Sequence, residues 1–270
     1  MDIDGSTKIC GLIGYPISHT LSPKIHNYLF KEFKINGIYI PFNVKLSKKE
    51  FQNFITNLSK ISNFKGVNIT IPYKEWAAII VENKFQSLGA VNCLKFENGN
   101  IKATNTDFLG FKLAVENELN FSFSNKNILI YGAGATAKSI IYSLINEVKK
   151  IYVINRTLSN AKKIKNFFKN EKIEIGAPKD LEKIDLVINS TPVGLNGETL
   201  EIDFKKFKKE CCFFDVIYLD TPFVKKAKSY GFKSINGLSM LIYQAIKSFE
   251  FWYEVIIKPE LIKKIFRMLK

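Results

Sequence analysis

Cysteine is scarce in this chain of 270 residues, with only Cys10, Cys93, Cys211 and Cys212 present. None forms C-x-x-C and the last two are adjacent, so no disulfide framework is written into the spacing. A reducing compartment, the cytoplasm, is the expectation. Histidine is scarcer still. His19 and His26 have no cysteine or carboxylate ligand pattern around them, so no metal site is expected, and they read as a loop and a core residue. Arginine occurs only at Arg156 and Arg267, in a chain that otherwise uses lysine. No uncharged apolar run approaches the roughly 18 residues of a membrane span. The start, Met1-Asp2-Ile3-Asp4-Gly5, lacks the basic and apolar regions of a signal peptide. Low-complexity linkers and internal repeats are missing as well.

What is present is a hydrophobic fraction of 46%, enough for a full core, and a formal net charge of +15. The length suits two modest domains or one large one. Such a charge raises nucleic acid or an acidic membrane surface as a partner. The lysines are scattered, however, and no basic block is interleaved with aromatics. The abundance of Lys, Ile, Asn and Phe suggests an AT-rich coding sequence. No nucleic acid and no membrane partner is therefore expected; the positive field instead suits small anionic ligands.

One stretch organises the rest. Ile128-Leu129-Ile130-Tyr131 is an apolar, β-rich run that suits a buried strand. Gly132-Ala133-Gly134-Ala135-Thr136-Ala137 then fits G-x-G-x-x-[G/A]. Gly132 permits the tight turn, Gly134 the approach of a pyrophosphate, and Ala137 close helix–strand packing. Lys138 to Ile145 continues as a helix whose N-terminal N–H groups face the phosphates. Ile151 to Ile154 is the next strand. It ends in Asn155-Arg156-Thr157, where NAD enzymes place Asp or Glu for the ribose 2′-hydroxyl. A carboxylate repels a 2′-phosphate, whereas a guanidinium forks onto it, so the cofactor reads as NADP. Such a contact contributes roughly 1.5–3 kcal/mol, about ten- to a hundredfold in affinity.

Ahead of this unit, strands and helices alternate. Residues 8–14 read as a strand and 15–23 as a polar loop. Ser22 reads as the N-cap of a helix with Pro23 in its first turn. Tyr39 to Val44 reads as a strand, Lys48 to Ser59 as a helix, and Gly66 to Ile71 as a strand ending at Pro72-Tyr73-Lys74. Gln86 to Leu94 contains a strand entered through Gly89, Asn98-Gly99 is a hairpin turn, and Ile101 to Thr104 returns. Asp107 reads as the cap of a helix from Phe108 to Leu119. Beyond Thr157 the pattern gives a basic helix to about Asn170. Strands follow at Ile184–Ile188, Cys212–Tyr218 and around Ser234-Ile235, then helices from Leu238 and over Pro259–Leu269. The fold class is α/β with a mainly parallel sheet, and sites in such sheets collect at the carboxyl ends of strands. The C-terminal helices are expected to return onto the first domain.

Taken together, the segments resemble the shikimate dehydrogenase family from Gly14 to Phe249. They are His19-Thr20-Leu21-Ser22-Pro23 with His26-Asn27, Asn68-Ile69-Thr70-Ile71-Pro72-Tyr73-Lys74, Gly89-Ala90-Val91-Asn92 and Asn105-Thr106-Asp107. Gly132-Ala133-Gly134, Asn155-Arg156-Thr157, Asn189-Ser190-Thr191-Pro192 and Gly237 through Met240-Leu241 to Gln244 follow in order. The resemblance implies reversible reduction of 3-dehydroshikimate to shikimate with NADPH, toward chorismate and the aromatic amino acids. It implies a substrate domain over 1–104 plus 238–270 and a Rossmann-like NADP-binding domain over 105–237, flanking a cleft. By position, Lys74 and Asp107 are the implied catalytic pair. Thr20, Ser22 and Tyr218 would bind the substrate carboxylate, and Thr70, Asn92, Asp107 and Gln244 the ring hydroxyls. Thr191 and Gly237 join the glycine motif, with Ala133, Ala135 and Ala137, and the Asn155–Thr157 turn as implied cofactor contacts. A monomer or homodimer is expected.

Elementary chemistry suits those residues. Hydride addition to a ketone builds negative charge on oxygen, which a neighbouring ammonium stabilises and protonates. A carboxylate beside the lysine holds it and keeps it charged. Short Ser, Thr, Asn and Gln side chains suit a small anion rich in hydroxyls. Some positions depart from the family pattern. Thr20 stands for serine, Asn160 for a second arginine, Leu195 for methionine and Asn236 for aspartate, and Thr221-Pro222 follows Tyr218 sooner than usual. Three other readings compete: a quinate/shikimate dehydrogenase using NAD or NADP, a catalytically silent NADP-binding protein, and a basic nucleic-acid-binding protein. Tyr243 and Lys247 also fit the Y-x-x-x-K of short-chain dehydrogenases, but that family opens on its glycine motif.

Overall fold

Residues 3–81 and 89–269 are described by the computed structural model. They divide into two compact units, residues 1–109 with 242–270, and residues 110–241. The divisions fall inside two helices, Thr106–Leu119 (α4) and Leu238–Tyr253 (α8). The architecture is α/β, with one sheet in each unit.

In the first unit the apolar run of β1 (Lys8–Gly14) is the middle of a parallel trio, flanked by β2 (Gly37–Asn43) and β3 (Phe64–Ile69). Helices α1 (Ser22–Glu32) and α2 (Lys48–Leu58) connect these strands. Each buries an apolar stripe at helical spacing, Ile25 and Leu29 in α1 and Phe51, Ile55 and Leu58 in α2. Ser47 and Glu50 close a capping box at the start of α2. Ser22 does not cap α1. Leu21 takes that place without a side-chain bond, and Ser22, already helical, is buried.

After α3 (Lys74–Ile80) the strands turn antiparallel, giving the order β2-β1-β3-β4-β5. Strands β4 (Cys93–Glu97) and β5 (Asn100–Thr104) form a hairpin. Asn98 and Gly99 both have positive φ, 52° and 79°, as a two-residue turn of this hand requires. Of the strand expected over Gln86–Leu94, Gln86, Ser87 and Leu88 lie outside the described residues, and pairing begins only at Cys93. The C-terminal part of α8 and α9 (Pro259–Leu269) belong to this unit. Trp252 donates its indole N–H to Leu94 O at 2.9 Å. Phe249 and Tyr253 pack on Phe30, at centroid distances of 5.3 and 5.6 Å.

The second unit carries six parallel strands: β6 (Asn127–Tyr131), β7 (Lys150–Ile154), β8 (Ile173–Ile175), β9 (Leu186–Asn189), β10 (Cys212–Asp215) and β11 (Ser234–Ile235). Their order, β11-β10-β9-β6-β7-β8, is the doubly wound 3-2-1-4-5-6 arrangement viewed from the other end. The direction reverses between β6 and β9, and ligands of such sheets bind outside the carboxyl ends of the strands there. Helix α5 (Ala135–Leu144) follows β6, α6 (Leu158–Phe168) follows β7, and α7 (Pro222–Ser229) follows β10. The sequence reading missed the three-residue β8 and also α7. The latter is capped by Thr221, whose hydroxyl accepts from Val224 N–H. Strand β10 ends at Asp215, three residues short of the expected Tyr218. The buried Asp215 carboxylate turns the chain there by accepting from Ile217 N–H at 3.0 Å.

Candidate active site

Two helix starts bring the expected catalytic residues together. Lys74 opens α3 just beyond β3, and Asp107 lies in the first turn of α4 just beyond β5. Lys74 Nζ meets Asp107 Oδ2 at 2.5 Å, with side chains only 12% and 9% exposed. The pair is therefore largely sheltered from the water that weakens surface ion pairs. Asp107 does not cap α4, which begins at Thr106. The Asn105 side chain accepts from Asp107 N–H at 3.0 Å instead, leaving the Asp107 carboxylate for other partners.

Asn92 completes the group. Its amide donates to Asp107 Oδ1 at 2.9 Å and to Thr106 Oγ1 at 3.0 Å, and its carbonyl oxygen accepts from Thr106 N–H at 2.6 Å. Gln244, on α8, reaches the same cluster through Thr106 Oγ1 at 3.5 Å. Thr70 ends β3. Its carbonyl accepts from Tyr73 N–H at 2.9 Å, shaping the turn into Lys74. A Cβ on Gly14 would stand 2.3 Å from Thr70 Cγ2, so the loops after β1 and β3 touch. Thr20 and Ser22 lie beyond the first of these loops. Thr20 Oγ1 accepts from Ser22 N–H at 3.3 Å. Lys74, Asp107, Asn92, Thr70, Thr20, Ser22 and Gln244 all fall in the first unit. Tyr218 falls in the second, half-buried beyond β10, where burial raises its pKa.

The sequence reading missed a second rank of polar residues. Asn68, Thr106 and Ser248 are buried behind the pair, joined to Tyr39. Asn68 and Thr106 lay within recognised segments. Ser248 stands one helical turn beyond Gln244, and that spacing was the available signal. His26 is a core residue, fully buried and stacked on Tyr39 with centroids 4.2 Å apart. Neither of its ring nitrogens has a hydrogen-bond partner among the described residues. Burial pulls its pKa down to about 3, against a smaller opposing effect of Asn68. Among the described residues no group of three or more His, Cys, Asp or Glu could hold a metal ion.

At the switch point of the second sheet the residues fit a dinucleotide. Gly132 has φ +112°, and a Cβ there would stand 2.5 Å from Ser190 Oγ and 2.9 Å from Ser190 O. The turns after β6 and β9 are thus packed backbone to backbone. Gly134, the N-cap of α5, has no heavy atom within 4 Å of where a Cβ would stand. A side chain there would meet only open space, at a helix end whose first N–H groups have no partner within the helix. Ala135 opens α5, and Ala137 is fully buried in it, where a larger side chain would push the helix outward. At the end of β7, Asn155 donates its side-chain amide to Thr157 O at 2.9 Å. This small turn leaves Arg156 exposed, with no carboxylate in Asn155-Arg156-Thr157.

Thr191 donates its hydroxyl to Asn189 Oδ1 at 2.6 Å. Asn189 in turn donates to the buried Asp215, which also accepts from Thr221 Oγ1 at 2.6 Å. Burial raises the Asp215 pKa, with these donors opposing. Gly237 packs so tightly that a Cβ would stand 2.2 Å from Val216 O. The carboxyl ends of β9 and β10 and the entry to α8 are therefore fixed by buried contacts.

Known proteins match along most of the chain. The family model described as the shikimate dehydrogenase substrate binding domain matches residues 12–94, and that described as shikimate / quinate 5-dehydrogenase matches residues 113–216. The shikimate dehydrogenase (NADP(+)) of Methanococcus vannielii is 38% identical over 268 residues, covering 93% of each chain. The crystal structure of shikimate dehydrogenase from Aquifex aeolicus superposes with a TM-score of 0.88 at 30% identity, covering 97% of this chain and 98% of that one. The shikimate 5-dehydrogenase of Listeria monocytogenes, solved with shikimate and NAD, superposes with a TM-score of 0.86 at 28% identity, covering 98% of each.

Proposed function

This chain belongs to the shikimate dehydrogenase family, and from that premise we propose that it interconverts 3-dehydroshikimate and shikimate using NADP(H), as a step of aromatic amino acid biosynthesis, with Lys74 and Asp107 as its catalytic pair. The observation that carries the assignment is the 2.5 Å contact between Lys74 Nζ and Asp107 Oδ2, sheltered from solvent and held on its far side by Asn92.

NADPH, when bound, supplies the hydride. As the hydride adds to the ketone carbon, the carbonyl oxygen becomes an alkoxide and needs a proton. The Lys74 ammonium stabilises the developing charge and gives that proton, becoming a neutral amine that recovers one from solvent. Asp107 holds Lys74 in position through the transfer. In the reverse direction the amine takes the hydroxyl proton as hydride leaves. Thr20, Ser22 and Tyr218 are assigned to the substrate carboxylate, and Thr70, Asn92, Asp107 and Gln244 to its hydroxyls. The polar character of these side chains and their full or partial burial support that reading.

The cofactor reading draws on the glycine turn, the α5 N-terminus and the exposed Arg156. Arg156 would hold the 2′-phosphate, Asn155 and Thr157 shape its turn, and Thr191 and Gly237 would contact the dinucleotide when it is bound. On this reading the substrate contacts other than Tyr218 come from residues 1–109 with 242–270, and the cofactor contacts come from 110–241. The enzyme works in the cytoplasm as a monomer or homodimer. Its four cysteines are free and buried, as suits a reducing compartment, and no described helix is long and apolar enough to cross a membrane.

A direct assay tests the whole. Purified protein given shikimate and NADP(+) should raise absorbance at the reduced-nicotinamide band, and NAD(+) at equal concentration should support a slower rate. Absence of turnover with either dinucleotide would reject the proposal.

A further inference from the structure

We propose that Ser248 and Asn68 are positioning residues for this reaction, holding Thr106 and Asn92 so that Asp107 presents one chosen oxygen to Lys74. The proposal rests on the assignment of Lys74 and Asp107 as the catalytic pair.

The hydrogen bonds can be ordered proton by proton. Ser248 Oγ lies 2.9 Å from Gln244 O, which can only accept, so the serine proton points there. The serine oxygen is then an acceptor for its other two neighbours, Asn68 Nδ2 at 2.8 Å and Thr106 Oγ1 at 3.0 Å. With its proton committed to Ser248, Thr106 Oγ1 accepts from Asn92 Nδ2. The second Asn92 amide proton goes to Asp107 Oδ1, while its carbonyl oxygen takes Thr106 N–H. Asp107 Oδ1 is thereby occupied, and Oδ2 is the oxygen left facing Lys74. At the other end, Asn68 gives its second amide proton to Asn92 O at 3.2 Å and accepts from the Tyr39 hydroxyl at 3.0 Å.

Asn68, Asn92, Thr106 and Ser248 are each at most 4% exposed, so water does not substitute for a missing partner. Removing the Ser248 hydroxyl leaves the Thr106 hydroxyl and one of the two Asn68 amide protons without an acceptor. Thr106 then turns toward Asn92 Oδ1 or Gln244 Oε1, at 3.3 and 3.5 Å, and loosens the amide that pins Asp107. Asp107 then no longer presents Oδ2 to Lys74 in one fixed orientation.

The experiment compares kcat and KM for the intact protein and for Ser248→Ala, Tyr39→Phe and Lys74→Ala. The expected result for Ser248→Ala is a five- to tenfold fall in kcat, the loss of about one buried hydrogen bond. KM for shikimate should change less than threefold. Tyr39→Phe, which keeps the ring stack, should lower kcat with the same small change in KM. It decides the matter by the same criterion if Ser248→Ala does not fold. Wild-type kcat in these variants, or a KM that rises as far as kcat falls, beside an inactive Lys74→Ala, would overturn the positioning role alone. An active Lys74→Ala would overturn both this proposal and the catalytic assignment beneath it.

Discussion

Lys74 and Asp107 lie 33 residues apart in sequence, yet Nζ and Oδ2 are 2.5 Å apart because two strands deliver two helix starts to the same place. Lys74→Ala should lower kcat by about 10²- to 10⁴-fold, the range of a general acid–base group, with a much smaller change in KM. Steady-state kinetics with shikimate and NADP(+) reads this directly, and an unchanged kcat removes Lys74 from the chemistry.

Gly132 and Gly134 are two residues apart but should fail differently. Gly132→Ala puts a side chain at φ +112° and into Ser190, and a strained backbone of this kind costs roughly 1–3 kcal/mol before the clash is counted. Its melting temperature should fall by several degrees. Gly134→Ala meets nothing within 4 Å and should melt like the parent while its KM for NADPH rises. If both variants lose stability equally, Gly134 is a packing residue and not an access point.

Arg156→Ala should weaken NADPH by about ten- to a hundredfold and leave NADH within twofold, since only the 2′-phosphate is lost as a partner. Isothermal titration with each dinucleotide makes the comparison. Equal losses for both would detach Arg156 from the phosphate.

His26 has its pKa lowered by burial from 6.5 to about 3. The unfolded chain therefore binds a proton below pH 6.5 that the folded chain refuses. Stability is fully present above 6.5 and falls as the pH drops toward 3, by up to about 1.4 kcal/mol for each pH unit. His26→Leu should show a flatter acid limb in melting temperature against pH. The same slope as the parent would assign the acid sensitivity elsewhere.

Legibility in the sequence followed the range of the interaction involved. The Asn98-Gly99 turn, the glycine motif and the helices α1 and α2 are local features, and each was readable from spacing and backbone demand. Strand β8 has three residues, too few to show a period, and α7 was hidden behind Thr221-Pro222, which reads as a turn until its capping bond is seen. The cap of α1 moved from Ser22 to Leu21 because burial, not capping, decides the fate of Ser22. Lys74 and Asp107 came from family resemblance, since no periodicity links residues on separate strands. The chain through Tyr39, Asn68 and Ser248 joins three regions of sequence that only tertiary structure unites.

The bond from the Trp252 indole to Leu94 gives the molecule an order of assembly. A sheet laid down in the first hundred residues waits for a helix made some 150 residues later, whereas residues 110–241 form one unbroken stretch. On the ribosome the second unit has all its parts first. The first unit stays open until translation is nearly over, and a chain cut short after residue 241 would keep the complete six-stranded sheet but lack the helix that closes the other one.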